Sequence, residues 1–295
     1  MAPSARQKAA EDSKSAVAPG WVLVTGASAG IGRELARAFA SKGRNLVLLA
    51  RSHDTTTELA RELIMTKAVN VKTIPADLSV AGAAEAIFEG LTSKGISVDI
   101  LVNNAGVLFE GEFSSIPLEE HLRLLQINVV ALTALTRLFL PLMLQRRGGR
   151  ILNVASTSAF MPVPRLAAYA AAKAYVLSLT ESLSEELRGS GVTATALCPG
   201  FTDTSMMRGS RLGKAAPSIM VMSPAAVAEQ GCAACLAGET ICVPGVANKL
   251  IASGTPLMPR ALVRGIGGMV ISRGWDRIGN AWRAAASPSD KGGSR

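Results

Sequence analysis

Tyr169 and Lys173 stand four positions apart in the alanine-rich run Tyr169-Ala-Ala-Ala-Lys173. At helical spacing the two side chains leave one face together. A phenol with a reference pKa of about 10 is a weak acid-base group near neutrality. A neighbouring ammonium favours the phenolate and draws that value toward the useful range, so the pair can move a proton. A second chemical stretch, Thr25-Gly-Ala-Ser-Ala-Gly-Ile-Gly32, answers to two descriptions. Gly26 to Gly30 fits the G-x-S-x-G elbow in which Ser28 attacks a carbonyl. The same residues fit a phosphate cradle: Gly26 allows a sharp turn, Gly30 a close approach of pyrophosphate, and Gly32 tight packing of the next helix. Free amides and the positive dipole end at that helix start favour an anion.

Both descriptions need a strand before and a helix after, and Trp21-Val22-Leu23-Val24 and Arg33 to Phe39 supply them. The elbow also needs a histidine, and the chain has two. His53 falls just after the second strand, too early for the terminal histidine of an elbow enzyme. His121, in Glu119-Glu120-His121-Leu122-Arg123, reads as an exposed helix face. No earlier strand is available to carry an oxyanion loop. The phosphate cradle is the stronger reading.

The elements that must position these groups are legible as short β-rich runs: Trp21 to Thr25, Asn45 to Ala50, Val71 to Pro75, Asp99 to Val102, Arg150 to Ala155, Val192 to Cys198 and Ile241 to Pro244. Segments of helical length lie between them. Such alternation predicts βαβ units and an α/β fold: a single doubly wound parallel sheet, a Rossmann fold, with helices on both faces. Right-handed crossovers place ligands at the carboxyl ends of the strands. One domain over residues 20–245 is expected, preceded by a disordered tail over 1–19. A basic, partly helical extension over 246–286 and a disordered tail over 287–295 follow.

Composition narrows the function classes. The 295 residues are 48% hydrophobic and 18% charged, as in ordinary globular protein. The most apolar stretch, Ala131 to Leu144, is interrupted by Arg137 and Pro141, so no membrane span is expected. The start lacks the apolar core of a secretory signal. Four cysteines in a chain of this length fit a reducing compartment better than a disulfide framework. Cys232 and Cys235, which share metal-like spacing, read as buried helix cysteines rather than zinc ligands, and a cytoplasmic location is expected. A net charge of +9 with only 4% aromatic residues, and no basic block interleaved with them, argues against nucleic acid. It could help attract an anionic cofactor.

With these elements in view, the chain resembles the short-chain dehydrogenase/reductase family. The spacing T-G-x-x-x-G-x-G at Thr25 to Gly32 is that family's version of the loop. Asp77-Leu78, Asn103-Asn104-Ala105-Gly106, Asn128, Ser156, Tyr169 with Lys173, and Pro199-Gly200 with Thr204 follow in the family's order. The resemblance covers about residues 20–245. It implies that Tyr169 protonates the developing alkoxide in ketone reduction or deprotonates an alcohol in reverse, and that Lys173 holds the nicotinamide ribose. It also implies that Ser156 hydrogen-bonds the substrate oxygen and Asn128 supports a water-mediated proton relay. Gly26, Ser28, Gly30, Ile31 and Gly32 would cradle the cofactor, with Asp77 and Leu78 at the adenine. Asn104, Ala105 and Gly106 would form the floor, and Pro199, Gly200, Thr202 and Thr204 would border the nicotinamide.

Cofactor choice follows from charge. An acid at the end of the second strand would accept from the ribose hydroxyl of NAD. Here Leu48-Leu49-Ala50 is followed by Arg51, whose guanidinium can pair with a 2′-phosphate, with Ser28 adding a hydrogen bond. NADP(H) is expected in preference to NAD(H). The substrate pocket is expected from Ser156, Phe160, Met161 and Val163, Phe109, and the segment 201–222, a lid or an ordinary long loop. Those apolar side chains suggest a hydrophobic carbonyl substrate. Homodimers or homotetramers through long helices are expected by analogy with the family. Two other readings stay open: a cofactor-binding sensor or scaffold without turnover, and a reductase of lipid-like carbonyls touching membrane through the basic, apolar region 256–283.

Overall fold

The computed structural model describes residues 20–210, 213, 216, 218–255, 258–259 and 261–264. The expected tails over 1–19 and 287–295, and the extension beyond Arg264, lie outside the described residues.

Strand β1 (Trp21–Thr25) sends Val22 and Val24 into one apolar layer and Leu23 into the other. β2 (Asn45–Ala50) does the same with Leu46 and Leu48 against Val47 and Leu49. Apolar residues on both faces are what a parallel sheet covered on both sides demands. With β3 (Val71–Pro75), β4 (Val98–Asn103), β5 (Gly149–Val154), β6 (Val192–Leu197) and β7 (Ile241–Cys242), these form one seven-stranded sheet in the order β3-β2-β1-β4-β5-β6-β7, every pair parallel. The first three strands fall where the sequence puts them. β7 stops short of the expected Pro244, which has no N–H for a ladder. The chain winds outward from β1 to β3 and returns at β4, so a crevice opens between the carboxyl ends of β1 and β4.

The helices are α1 (Gly30–Ala40), α2 (His53–Lys67), α3 (Ala83–Thr92), α4 (Leu118–Leu125), α5 (Leu132–Gln145), α6 (Ala167–Glu186), α7 (Ser205–Arg208), α8 (Pro224–Ala237) and α9 (Val246–Gly254). Leu35 and Phe39 of α1, Leu59 and Leu63 of α2, and Val227 and Cys232 of α8 cover one face of the sheet. Ile87 and Leu91 of α3 and Leu135, Phe139 and Met143 of α5 cover the other. There Val176 and Leu177 of α6 pack beside Leu132 and Ala155. All four cysteines are buried free thiols.

One π-helical turn, Gln126–Ala131, joins α4 to α5, so the helical run is continuous from Leu118 to Gln145. The sequence reading breaks this stretch at Arg137 and Pro141, yet the helix runs through both. By length and composition alone the run could cross a membrane, and 44% of its most apolar window is buried inside the protein, where it forms part of the core.

A buried polar ladder ties the strands that carry the site. Asn103 Nδ2 donates to Asn153 Oδ1 at 2.9 Å and Thr136 Oγ1 at 3.0 Å, and Asn153 Nδ2 donates to Thr180 Oγ1 at 2.9 Å. It links β4, α5, β5 and α6 at fixed register. Polar groups at this depth cost several kcal/mol if left unpaired, so the ladder resists sliding.

Candidate active site

At the mouth of β1, Thr25 Oγ1 donates to the Val102 carbonyl at 3.2 Å and accepts from the amides of Asn104 at 2.9 Å and Ala105 at 3.0 Å. Asn104 Nδ2 returns to the carbonyls of Thr25 at 2.9 Å and Gly26 at 3.2 Å. The loops after β1 and β4 are thereby fastened together. Gly26 takes φ of 66° with Ala105 directly above it, a conformation and a clearance only glycine meets. Gly30 opens α1 with no side chain capping the first turn, leaving amides directed at the cleft. Gly32 lies beneath the loop, where a Cβ would collide with Asn104 Nδ2 and the Gly26 carbonyl. Arg33 donates from Nε to the Ser28 carbonyl at 3.0 Å and fixes the crest of the loop. A backbone cradle with unpaired amides and no Cβ in its way fits a pyrophosphate.

Ser156 follows the end of β5 and caps the turn Thr157–Phe160, its Oγ accepting from the Ser158 amide at 3.1 Å. Tyr169 sits in the first turn of α6, and Lys173 one turn later donates from Nζ to the Val154 carbonyl at 2.7 Å. The ammonium is 5.6 Å from the phenol ring centre. Asn128, 1% exposed in the π-helical turn, clamps the backbone of Val107 from both sides: its Oδ1 accepts from Val107 N at 2.9 Å and its Nδ2 donates to Val107 O at 3.0 Å. The wide turn is what aims this side chain across at the loop after β4.

Electrostatics here differ from the sequence reading. Burial pushes the Tyr169 phenol up to about 12, and its hydrogen bond with the Ser156 side chain pulls the other way. Burial holds Lys173 down at about 8, and the Cys198 thiol beside it offsets this in part. The expectation was a phenol drawn down by the ammonium. In this site desolvation sets the direction of both shifts.

Ser156, Tyr169 and Lys173 line one cleft of about 620 Å³, whereas Asn128 stands behind its wall and is not among the lining residues. The cleft runs from Arg51, Asp77 and Leu78, past Ser28, Gly30 and Ile31 of the loop, to Asn104, Ala105 and Gly106, then Ser156, Tyr169 and Lys173, and finally Pro199, Gly200, Thr202 and Thr204. Every sequence-predicted cofactor residue except the supporting Gly32 is therefore on one wall system. Asp77 accepts from the amide and hydroxyl of Ser79, which hold its carboxyl low, and Arg51 at the rim adds to that effect. Of the side chains expected at the substrate pocket, Ser156, Met161 and Val163 line the cleft. Phe160 instead packs against the α6 core with Val176 and Leu177, and Phe109 is not among the lining residues. Phe201, Met206, Met207 and Met220, from the expected segment 201–222, line the cleft too, joined by Leu108, Leu166 and, from α9, Asn248, which the sequence reading did not name.

The elbow-type serine chemistry has no base here. Ser28 belongs to the cradle, His53 is exposed at the start of α2, and His121 is buried. Its ring stacks on Phe113 at 4.3 Å, and Nε2 lies 3.1 Å from the Phe113 carbonyl, so the expected exposed histidine is covered, while Glu119 and Leu122 beside it are exposed.

The model of the short-chain dehydrogenases matches residues 20–215. The chain belongs to the short-chain dehydrogenase family. Among curated relatives, the very-long-chain 3-oxoacyl-CoA reductase of Rattus norvegicus is 35% identical over 192 residues, which cover 64% of this chain and 61% of that enzyme. The human enzyme of the same name is 33% identical over 219 residues, 71% of this chain and 70% of its own length. The chain thus spans about two thirds of the curated relatives it matches. Among solved structures, a short-chain dehydrogenase from Sphingobium yanoikuyae in complex with NADPH is 29% identical, with a TM-score of 0.71 over 94% of this chain and 98% of that one. A bulky-bulky ketone specific alcohol dehydrogenase from Comamonas testosteroni is 26% identical, with a TM-score of 0.69 over 94% of this chain and 97% of its own. As a short-chain dehydrogenase the protein is an oxidoreductase by family. Its glycine loop and the Tyr169 group lie inside the matched residues, whereas Asn248 lies beyond them.

Proposed function

We propose that this protein is an NADP(H)-dependent oxidoreductase that interconverts an apolar ketone or aldehyde and the corresponding alcohol. The observation that carries this reading is the meeting of Ser156, Tyr169 and Lys173 on the wall of a cleft whose far end is a glycine cradle for phosphate. The nicotinamide, when bound, supplies or accepts the hydride. Ser156 holds the carbonyl oxygen, and the Tyr169 hydroxyl, protonated across the neutral range, donates to the developing alkoxide. Lys173 holds the cofactor ribose beside the phenol, and Asn128 fixes the Val107 backbone that faces them. Arg51 at the rim pairs with a 2′-phosphate, in keeping with the NADPH named in the Sphingobium structure.

The substrate end is walled by Leu108, Met161, Val163, Leu166, Met206 and Met220. Thioether side chains adapt to irregular apolar shapes, which suits a bulky or long-chain carbonyl compound. Leu118, Leu122, Leu125 and Val130 expose apolar surface on the α4 to α5 run, Leu122 at 56%, and a second copy of the chain is the partner proposed for that stripe.

The test is titration with NADPH and NADH, followed by a panel of carbonyl compounds that includes 3-oxoacyl thioesters and bulky ketones, read at the nicotinamide absorbance. NADPH binding with turnover is expected, and Tyr169→Phe should keep the binding while losing about 10³-fold in kcat. Full turnover in that variant would remove Tyr169 from its role, and binding of neither nucleotide would overturn the proposal.

A further inference from the structure

Asn248 is 4% exposed in the first turn of α9, yet it lines the cleft beside Gly200. Its Nδ2 donates to the Pro244 carbonyl at 2.8 Å. A carbonyl can only accept, so this bond fixes which way the side-chain amide is turned. Among the described residues, its Oδ1 accepts no hydrogen bond. The amide lies flat against Gly200: a Cβ on that residue would collide with Asn248 Oδ1 and stand 2.6 Å from Nδ2. Residue 200 is therefore glycine at least partly to admit a side chain from a helix 48 positions later. On the other side, Met222 Sδ and Nδ2 close over Gly245, which enters α9 at φ of 85°. Nδ2 is thus occupied by the Pro244 carbonyl and, at 3.9 Å, by the Met222 sulfur, which leaves Oδ1 as the unmatched acceptor of a buried side chain that lines the cleft, the condition of a binding group.

We propose that Asn248 is a cofactor-positioning residue, whose Oδ1 accepts a hydrogen bond from the carboxamide N–H of the nicotinamide lying against Gly200. This inference builds on the nucleotide reading above. It assigns a role in the site to α9, outside the residues that the family model matches.

Two arms test it. In the first, binding of NADP is compared with binding of its 3-acetylpyridine analogue, in which a methyl group replaces the amide NH₂. The wild type should prefer NADP by about fivefold or more, and Asn248→Ala should bring the ratio close to one, because a residue with only a structural role would weaken both ligands alike. An unchanged ratio in the variant, or no preference in the wild type, would overturn the acceptor role. Binding of neither nucleotide by the wild type would instead sink the nucleotide reading, and this inference with it. In the second arm, melting temperatures are taken without any ligand. Gly200→Ala should melt lower than the wild type or fail to fold, and Gly200→Ala combined with Asn248→Ala should fold and recover much of the loss. A double variant as impaired as the single one would show that the glycine does not serve Asn248.

Discussion

Lys173 Nζ lies 2.7 Å from the Val154 carbonyl oxygen and 5.6 Å from the centre of the Tyr169 ring, in a wall where the lysine is buried and the tyrosine half-buried. The bond to Val154 anchors the ammonium to the end of β5, next to the strand end that delivers Ser156. Sheet and helix thus set the three groups in one frame, and small displacements of either would separate them.

That burial has a pH signature. Lys173 falls to about 8 in the fold from an ordinary 10.5, so between those values the unfolded chain binds the extra proton and stability rises with pH. Urea unfolding of the wild type and of Lys173→Met at pH 7.5 and pH 10 should show the difference moving in favour of the wild type by up to about 3 kcal/mol. Tyr169, raised to about 12 from 10, acts with the opposite sign: above pH 10 the unfolded chain sheds a proton that the fold retains, and stability falls. Tyr169→Phe should lack that decline. A difference between wild type and Lys173→Met that stays flat from pH 7.5 to 10 would contradict the buried ammonium.

Arg51 is exposed at the rim, where its charge helps hold the Asp77 carboxyl low. Arg51→Asp should reverse the sign seen by a 2′-phosphate and shift the kcat/KM ratio for NADPH over NADH by about 100-fold toward NADH. Steady-state kinetics with both nucleotides check this, and an unshifted ratio would free Arg51 of the role.

Asn128→Ala would leave the Val107 N–H and C=O unpaired beside the cleft. The expected cost is about 2 kcal/mol or more in urea unfolding, with a fall in kcat larger than any change in the Kd for NADPH. Equal losses in both would mean that the clamp serves cofactor binding rather than the reacting groups.

The exposed stripe gives a separate test. Leu122→Glu should convert a dimer into monomer in sedimentation while leaving the far-UV spectrum unchanged, since the side chain points away from the core. A wild type that sediments as a monomer would remove the proposed partner.

Much of this architecture is legible in the sequence, for physical reasons. Alternating apolar positions such as Val22, Leu23 and Val24 announce a strand covered on both faces, and a glycine loop must stand where a strand ends and a helix begins. Residues tied to that backbone path, from Ser28 to Thr204, therefore appear where the spacing puts them. The apolar end of the cleft is less legible. Phe160 and Met161 are neighbours, but the turn Thr157–Phe160 sends the phenylalanine inward to α6 and the methionine to the cleft. No spacing rule gives that direction. His121 reads as exposed because its neighbours are charged, while its ring is buried against Phe113, a residue eight positions earlier. Asn248 had one local signal, a polar residue just after the Pro244-Gly245 turn. Its meaning depends on Gly200, and such distant pairs become visible only once the chain is folded.

The π-helical turn at Gln126–Ala131 acts as a phase adjuster between two helices with different audiences. One residue of α-helix corresponds to about 100° of rotation. Deleting a single residue there would not shorten a loop. It would swing Leu135, Phe139 and Met143 away from the sheet and withdraw Asn128 from Val107 in the same stroke. This stretch should therefore tolerate exchange of side chains far better than any change in its length.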